Sequence, residues 1–328
     1  MSLRFIPVAA AAWLALACLP SRAADKVHPD APWQPPAPLT QVPLWPDALS
    51  IARPPVKGPE GTVDEHKPVQ GKPWVSVVNV TRPTMTIYPP KGANTGATLV
   101  VFPGGGYRVL AIDLEGTEIC DAFSAKGTTC VVLKYRVPGS GPWWNDDCNC
   151  AKEPTAPMAL QDAQRTVVLL RHQAKALHID PHRIGVIGFS AGGHMVADIS
   201  NHPRLSYKSV DDADKESPVP DFAIAMYPGH LWDQDEHGAK LHPRNKISTK
   251  APPTFIVQAQ NDPVDDVRNS VSYYLALTKA GVPVEMHLYA TGGHAFGLRG
   301  TSTIATQWPL QVDRWLRDLG MLSPETGQ

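Results

Sequence analysis

Residues 188–194 read GFSAGGH, between the apolar run Ile184-Gly185-Val186-Ile187 and a stretch of helical character, Met195-Val196-Ala197-Asp198-Ile199. The reading of this turn decides the fold. A dinucleotide-binding turn needs G-x-G-x-x-G, and Gly185, Gly188, Gly192 and Gly193 do not supply that spacing. A phosphate loop needs Gly-Lys-Ser/Thr, and the stretch has no lysine. The pattern G-x-S-x-G fits at 188–192. In that pattern a serine occupies a strained strand-to-helix turn, and the flanking glycines remove side chains that would collide. The plain alternative is a turn whose glycines serve only the packing of a strand on a helix, and the pentapeptide alone leaves both open.

A serine hydroxyl is a weak nucleophile until a base takes its proton. The chain supplies a histidine further on in Gly292-Gly293-His294-Ala295-Phe296-Gly297, and an aspartate in Asn261-Asp262-Pro263. Each follows an apolar run that reads as a strand. The order Ser190, Asp262, His294 is the order of the α/β-hydrolase triad. Asp262 competes with Asp265 and Asp266; it is preferred because it comes first after the strand, the other two being expected to open the next helix. Oxyanion donors are expected from the triple glycine in Phe102-Pro103-Gly104-Gly105-Gly106-Tyr107, with the amides of Gly105 and Gly106 joined by that of Ala191. Each residue has a bland reading: a histidine without special duty, an Asp-Pro turn former, a flexible glycine linker. Agreement among the three placements weighs against these.

Apolar runs predict strands over 84–88, 98–102, 129–135, 184–188, 222–227, 254–259 and 284–289. Helical patterns predict helices over 116–126, 159–176, 192–199, 267–280 and 303–319. This alternation implies an α/β fold, a mostly parallel central sheet flanked by helices on both faces. Fifteen of the 34 prolines lie between His28 and Pro90, so this region reads as an extended arm leading into early strands. Trp33, Trp45 and Trp74 indicate that the arm docks on the body. The expected organisation is a leader over 1–23, a Pro-rich arm over 24–79 and a catalytic domain over 80–328. Residues 206–218 are charged and aperiodic and read as a surface loop.

The formal net charge of −1, spread over 328 residues without basic runs, points to neither nucleic acid nor an anionic membrane as partner. Arg4, the apolar stretch over 6–19 and Ser21-Arg22-Ala23 form a secretory signal pattern with a cut after Ala23. The apolar stretch is short for a membrane span. Export leaves Cys120, Cys130, Cys148 and Cys150, an even count that implies two disulfides in an oxidising compartment. Cys148 and Cys150 stand too close in sequence to pair with each other, so each is expected to pair elsewhere, with Cys120 and Cys130 as candidates. Neither spacing nor neighbouring histidines support a zinc site.

Together these residues resemble the α/β-hydrolase superfamily, and more narrowly the bacterial esterase group that includes acetyl xylan esterases and feruloyl-esterase-like (BD-FAE) hydrolases. The resemblance rests on PGGGY at 103–107, EG at 115–116, LKYR at 133–136, LQDAQR at 160–165, IDPHRIGVIGFSAGGH at 179–194 and GGHAFGL at 292–298. It implies a serine carboxylic ester hydrolase without metal or cofactor, acting on acetyl or other short-chain esters of plant polysaccharides. Feruloyl or polyester hydrolysis and a prolyl-oligopeptidase-like peptidase are the alternatives, and a binding protein on an inactive scaffold is a third. The chain departs from many relatives in having Pro103 where they have a histidine. Tyr107, Trp143, Trp144 and Trp232 are candidates for substrate contact, with gap-filling as the plain alternative. Asp162 and Arg165 are expected to form a structural ion pair or a cap rather than a catalytic pair.

Overall fold

Six of the apolar runs become the parallel strands of one eight-stranded sheet. In chain order its strands are β1 Gln41–Pro43, β2 Thr84–Tyr88, β3 Thr98–Phe102, β4 Thr129–Lys134, β5 Ile184–Phe189, β6 Phe222–Met226, β7 Thr254–Ala259 and β8 Val284–Tyr289. Their spatial order is β8-β7-β6-β5-β3-β4-β2-β1. The pairs from β4 to β8 across the sheet are parallel, and β2 and β1 close one side antiparallel. The structure is a computed structural model that describes residues 27–28, 32–56, 58–137, 144–145, 150–151, 156–234, 238–300 and 303–323. The expected leader, Trp143 and Cys148 lie outside the described residues, and of Trp144 and Cys150 only the backbone is described.

Every residue of β3 to β7 is buried. Helices cover both faces of such a sheet, so its strands read as unbroken apolar runs rather than alternating ones. The covering helices are α1 Glu118–Ser124, α2 Pro157–His172, α3 Ala174–Leu177, α4 Ala191–Asn201, α5 Arg268–Lys279 and α6 Trp308–Asp318. A single π-type turn, Asp113–Thr117, leads into α1, and a 3-10 turn, Ile304–Gln307, leads into α6. No helix among the described residues is long and apolar enough to cross a membrane.

The chain runs from β3 to β4 on one side of β3, then returns to place β5 on the other side. This reversal opens a crevice at the carboxyl ends of β3 and β5, the place where open α/β sheets hold ligands. The register pairs Phe102 with Gly188 across β3 and β5, so Pro103-Gly104 and Phe189-Ser190 leave the sheet side by side. It also pairs Ala259 with Tyr289 across β7 and β8, which brings the Asp262 and His294 loops together.

Three expectations need correction. The Pro-rich region holds a regular hairpin, Gly61–Val69 with Lys72–Val78, turning at Gln70-Gly71, both at positive φ. It joins Val27–His28 and Val109–Leu110 in a four-stranded antiparallel sheet. Pro68 obscured it, because the ladder accommodates that proline at an irregularity between Glu65 and Val69. Cys120 is bonded to Cys130, not to Cys148 or Cys150. Packing of α1 on β4 brings their Cα atoms to 5.1 Å, inside the range for a disulfide. The region 206–218 is anchored by a 3-10 turn, Asp212–Lys215, whose Asp214 is buried.

A further correction concerns ion pairs. Asp162 pairs with Arg136, at 2.8 Å, and Arg165 pairs with Asp214 at 2.8 Å and with Asp211 at 2.5 Å. Although both residues stand on α2, Asp162 meets the end of β4 and Arg165 meets the 206–218 segment. Trp45 Nε1 donates to the same Asp162 carboxylate at 2.8 Å, and this seats the tryptophan in the core. Removing one partner of a fully buried pair leaves the other charge uncompensated. Asp162→Ala is therefore expected to lower stability by about 3–5 kcal/mol. A shift in the urea midpoint worth less than about 1 kcal/mol would contradict that expectation.

Candidate active site

Ser190 sits between β5 and α4 with φ 54° and ψ −116°, a conformation that a residue with a side chain adopts only under constraint. Three backbone bonds hold it: its amide donates to Met226 O at 3.0 Å, and its carbonyl accepts from the amides of His194 at 3.1 Å and Gly229 at 3.4 Å. The neighbouring glycines are required by close approach. A Cβ on Gly192 would lie 2.1 Å from the carbonyl oxygen of Phe102, and one on Gly104 would lie 3.1 Å from Ser190 Cβ and 2.4 Å from Glu115 Oε2. The glycines thus serve packing and the exposed serine turn together.

His294 Nδ1 lies 2.8 Å from Asp262 Oδ2, and the Asp262 side chain is fully buried. Asp262 Oδ1 in turn accepts from the amides of Val264 at 2.8 Å and Asp265 at 3.0 Å. Asn261 Oδ1 receives the amides of Gly292 and Gly293 at 3.0 and 2.9 Å, so one loop fixes the position of the other. The aspartate preferred from sequence is thus the one on the Nδ1 side of the imidazole. Asp266 accepts from the amide of Arg268 at the start of α5, as expected. Asp265 does not serve the helix: its Oδ2 accepts from Ser190 Oγ at 3.1 Å and lies 3.9 Å from His294 Nε2.

The glycine loop after β3 lies against the serine turn. Among the described residues, the amides of Gly105, Gly106 and Ala191 have no hydrogen-bond acceptor, whereas that of Gly104 donates to Glu115 Oε2 at 2.9 Å. Glu115, carried inward by the π-type turn, also accepts from Tyr227 Oη at 2.9 Å, and Tyr227 Oη accepts from the amide of Gly297 at 3.2 Å. One buried carboxyl thereby ties the glycine loop to the histidine loop. Burial pushes its pKa up, against the pull of His294, Tyr227 and the Gly104 amide. Tyr135 Oη donates to Pro103 O at 2.6 Å, a second brace on the glycine loop. Sequence reasoning missed the roles of Glu115 and Tyr227; the only trace was the Glu115-Gly116 motif.

Tyr107, at φ 58°, is buried, and its hydroxyl shares a 2.8 Å hydrogen bond with His194 Nδ1. Its ring stacks on His230, at 6.2 Å between centroids. Burial pushes both histidines down to about 4, so they are neutral near pH 7. Trp232 lies under the Arg268 guanidinium, 3.5 Å from ring centroid to carbon, and its backbone amide donates to Asn269.

A BD-FAE family model matches residues 85–219, and a model described as the prolyl oligopeptidase family matches residues 159–319. The crystal structure of an acetyl ester-xyloside bifunctional hydrolase from Caldicellulosiruptor lactoaceticus superposes with a TM-score of 0.66 at 28% identity, covering 87% of this chain and 97% of that one. The fold is that of the α/β-hydrolases. Among its curated relatives is an acetylxylan esterase of Xylanibacter ruminicola, 29% identical over 69% of this chain and 45% of that protein. Another is an ethyl acetate hydrolase of Pseudomonas putida, 26% identical over 67% of this chain and 73% of that protein. The α/β-hydrolase chain spans under half the length of the first of these.

The site holds its histidine in a charged setting. Burial pushes the His294 pKa down, but the hydrogen bond with Asp262 and the charges of Asp265, Asp262 and Glu115 outweigh it, and the net direction is upward. A base must be neutral to accept a proton. Activity is therefore expected to fall with decreasing pH along an acid limb whose apparent pKa, in kcat/KM, lies above the roughly 6.5 of free histidine. A limb at or below that value would show that burial dominates.

Proposed function

We propose that this α/β-hydrolase is an exported serine carboxylic ester hydrolase that removes acetyl or other short acyl groups from plant polysaccharides. The observation that carries the reading is the Asp262–His294 pair at 2.8 Å beside a serine held at φ 54°. In this reading Ser190 Oγ turns from Asp265 to the ester carbonyl as His294 Nε2 takes its proton. Asp262 holds the imidazole with Nδ1–H toward its carboxylate and stabilises the charged form. The amides of Gly105, Gly106 and Ala191 receive the oxyanion. His294 then protonates the departing alcohol, and water, activated by the same imidazole, releases the acid from Ser190. Tyr107, Trp143, Trp144 and Trp232 are proposed to line the acyl and sugar sites.

The acetyl ester preference is supported by the acetylxylan esterase and the ethyl acetate hydrolase among the relatives. The peptidase alternative has the prolyl oligopeptidase family match behind it, but these named relatives are ester hydrolases. Export is supported by the leader pattern and by the Cys120–Cys130 disulfide, which persists in oxidising compartments. A mature protein beginning after Ala23 is the expected mass-spectrometric result, and retention of the leader would count against export.

The test is a fluorophosphonate probe followed by peptide mapping, run beside a panel of acetyl, butyryl, feruloyl, polyester and acyl-peptide substrates. Labelling on Ser190 and fastest turnover of acetylated xylo-oligosaccharides are expected. No labelling would favour the inactive scaffold, and preference for feruloyl, polyester or peptide substrates would replace the acetyl reading.

A further inference from the structure

Asp265 is a built feature of the site that exchanges no proton in ester hydrolysis as just described. Its side chain is only 14% exposed. Gln258 Nε2 donates to its carbonyl at 3.0 Å and reaches Asp262 Oδ2 at 3.2 Å, so one glutamine positions both aspartate segments. Gly229 leaves room for the carboxylate, since a Cβ there would lie 2.5 Å from Asp265 Oδ1. Burial and the charge of Asp262 push its pKa up to about 6, against His294 and Ser190, which leaves it mainly ionised at neutral pH.

The position of Oδ2 matters chemically. It is 3.1 Å from Ser190 Oγ and 3.9 Å from His294 Nε2. During acylation the oxygen of the departing alcohol must lie between these same two atoms. When Ser190 Oγ turns to the carbonyl and gives up its proton, Asp265 loses its donor. A buried carboxylate without a donor is costly. A hydroxyl on the carbon next to the ester-bearing carbon stands one hydrogen-bond length from the departing oxygen, and it can take the place of Ser190.

Resting on the serine esterase reading, we infer that Asp265 is a specificity-determining residue that accepts a hydrogen bond from a hydroxyl vicinal to the ester on the leaving alcohol. The site thereby selects partly acylated sugars and polyols over esters of simple alcohols. A site built to bond a substrate hydroxyl rejects the analogue that lacks it, because its own buried group is then unpaired.

The test compares ethylene glycol monoacetate with propyl acetate, and the monoacetate of trans-cyclohexanediol with cyclohexyl acetate. Each kcat/KM is divided by the rate of alkaline hydrolysis of the same ester, which removes differences in intrinsic reactivity. The wild-type chain is expected to prefer the hydroxylated member of each pair by about tenfold or more, as a charge-assisted hydrogen bond implies. Asp265→Val, which has no acceptor, is expected to bring the ratio close to one, and Asp265→Asn to an intermediate value. Because the readout is a ratio, a common loss of activity or of folded protein does not move it, and the wild-type ratio needs no variant at all. A wild-type ratio near one, or a ratio unchanged in Asp265→Val, overturns the inference while leaving the esterase reading intact. Absence of both ester hydrolysis and fluorophosphonate labelling of Ser190 overturns the esterase reading and this inference with it.

Discussion

Replacing Ser190 with alanine is expected to lower kcat on short acetyl esters by about 10⁶-fold, the loss seen when the nucleophile of such a triad is removed. The substitution deletes the atom that bonds to the acyl carbon. The backbone of the turn should be kept, since the Ser190 amide and carbonyl hold it, while Asp265 loses the hydrogen bond from Ser190 Oγ. Alanine does have to adopt φ 54°, so thermal denaturation belongs beside the kinetics. Residual activity within tenfold of wild type, with the melting temperature preserved, would remove Ser190 from the mechanism.

Asp262→Asn should cost about 10⁴-fold in kcat with the geometry intact. An asparagine amide facing His294 Nδ1 reverses the tautomer, so the proton would stand on Nε2, where the base must be free to accept. The buried aspartate also offsets the charge that His294 gains in the transition state. Asp265 remains 3.9 Å from Nε2 in this variant and cannot substitute, because it faces the opposite ring nitrogen. Stopped-flow or steady-state kinetics on a p-nitrophenyl acetate substrate would read the effect. A loss smaller than that of Asp265→Val on the same substrate would exchange the roles of the two aspartates.

The strands β3, β7 and β8 were legible to the residue: β3 and most of β7 are the apolar or β-branched runs of strands buried on both faces, and β8 alternates apolar with polar residues. The hairpin over 61–78 was not, since prolines within it outweighed its alternating pattern. The pairing of Asp262 with His294 was legible from chain order, because parallel α/β topology sends each strand end to the same rim of the sheet. The service of Asp265 to the site was not. Three residues after Asp262 and just before a helix, it has the sequence character of a capping residue, and only Asp266 takes that part.

Similar limits hold for Glu115, Arg136 and the cysteines. A glutamate opening an amphipathic segment is ordinarily a solvated helix residue, and nothing local states that a π-type turn carries it inward to meet Gly104 and Tyr227. Arg136 and Arg165 have equal claim on Asp162 by charge, and the direction in which α2 presents each side chain decides between them.

The sequence by itself determined the α/β class, the order of Ser190, Asp262 and His294 at successive strand ends, and the glycines that crowd the serine turn. These follow from periodicity and from motifs whose chemistry is local. Only the tertiary structure decided which partner the other buried carboxylates meet: Asp265 on Ser190, Glu115 on Gly104, Asp162 on Arg136. The physical reason is that a buried charge is satisfied by whatever donor packing brings within hydrogen-bond reach, and packing joins residues far apart in the chain that no spacing rule relates.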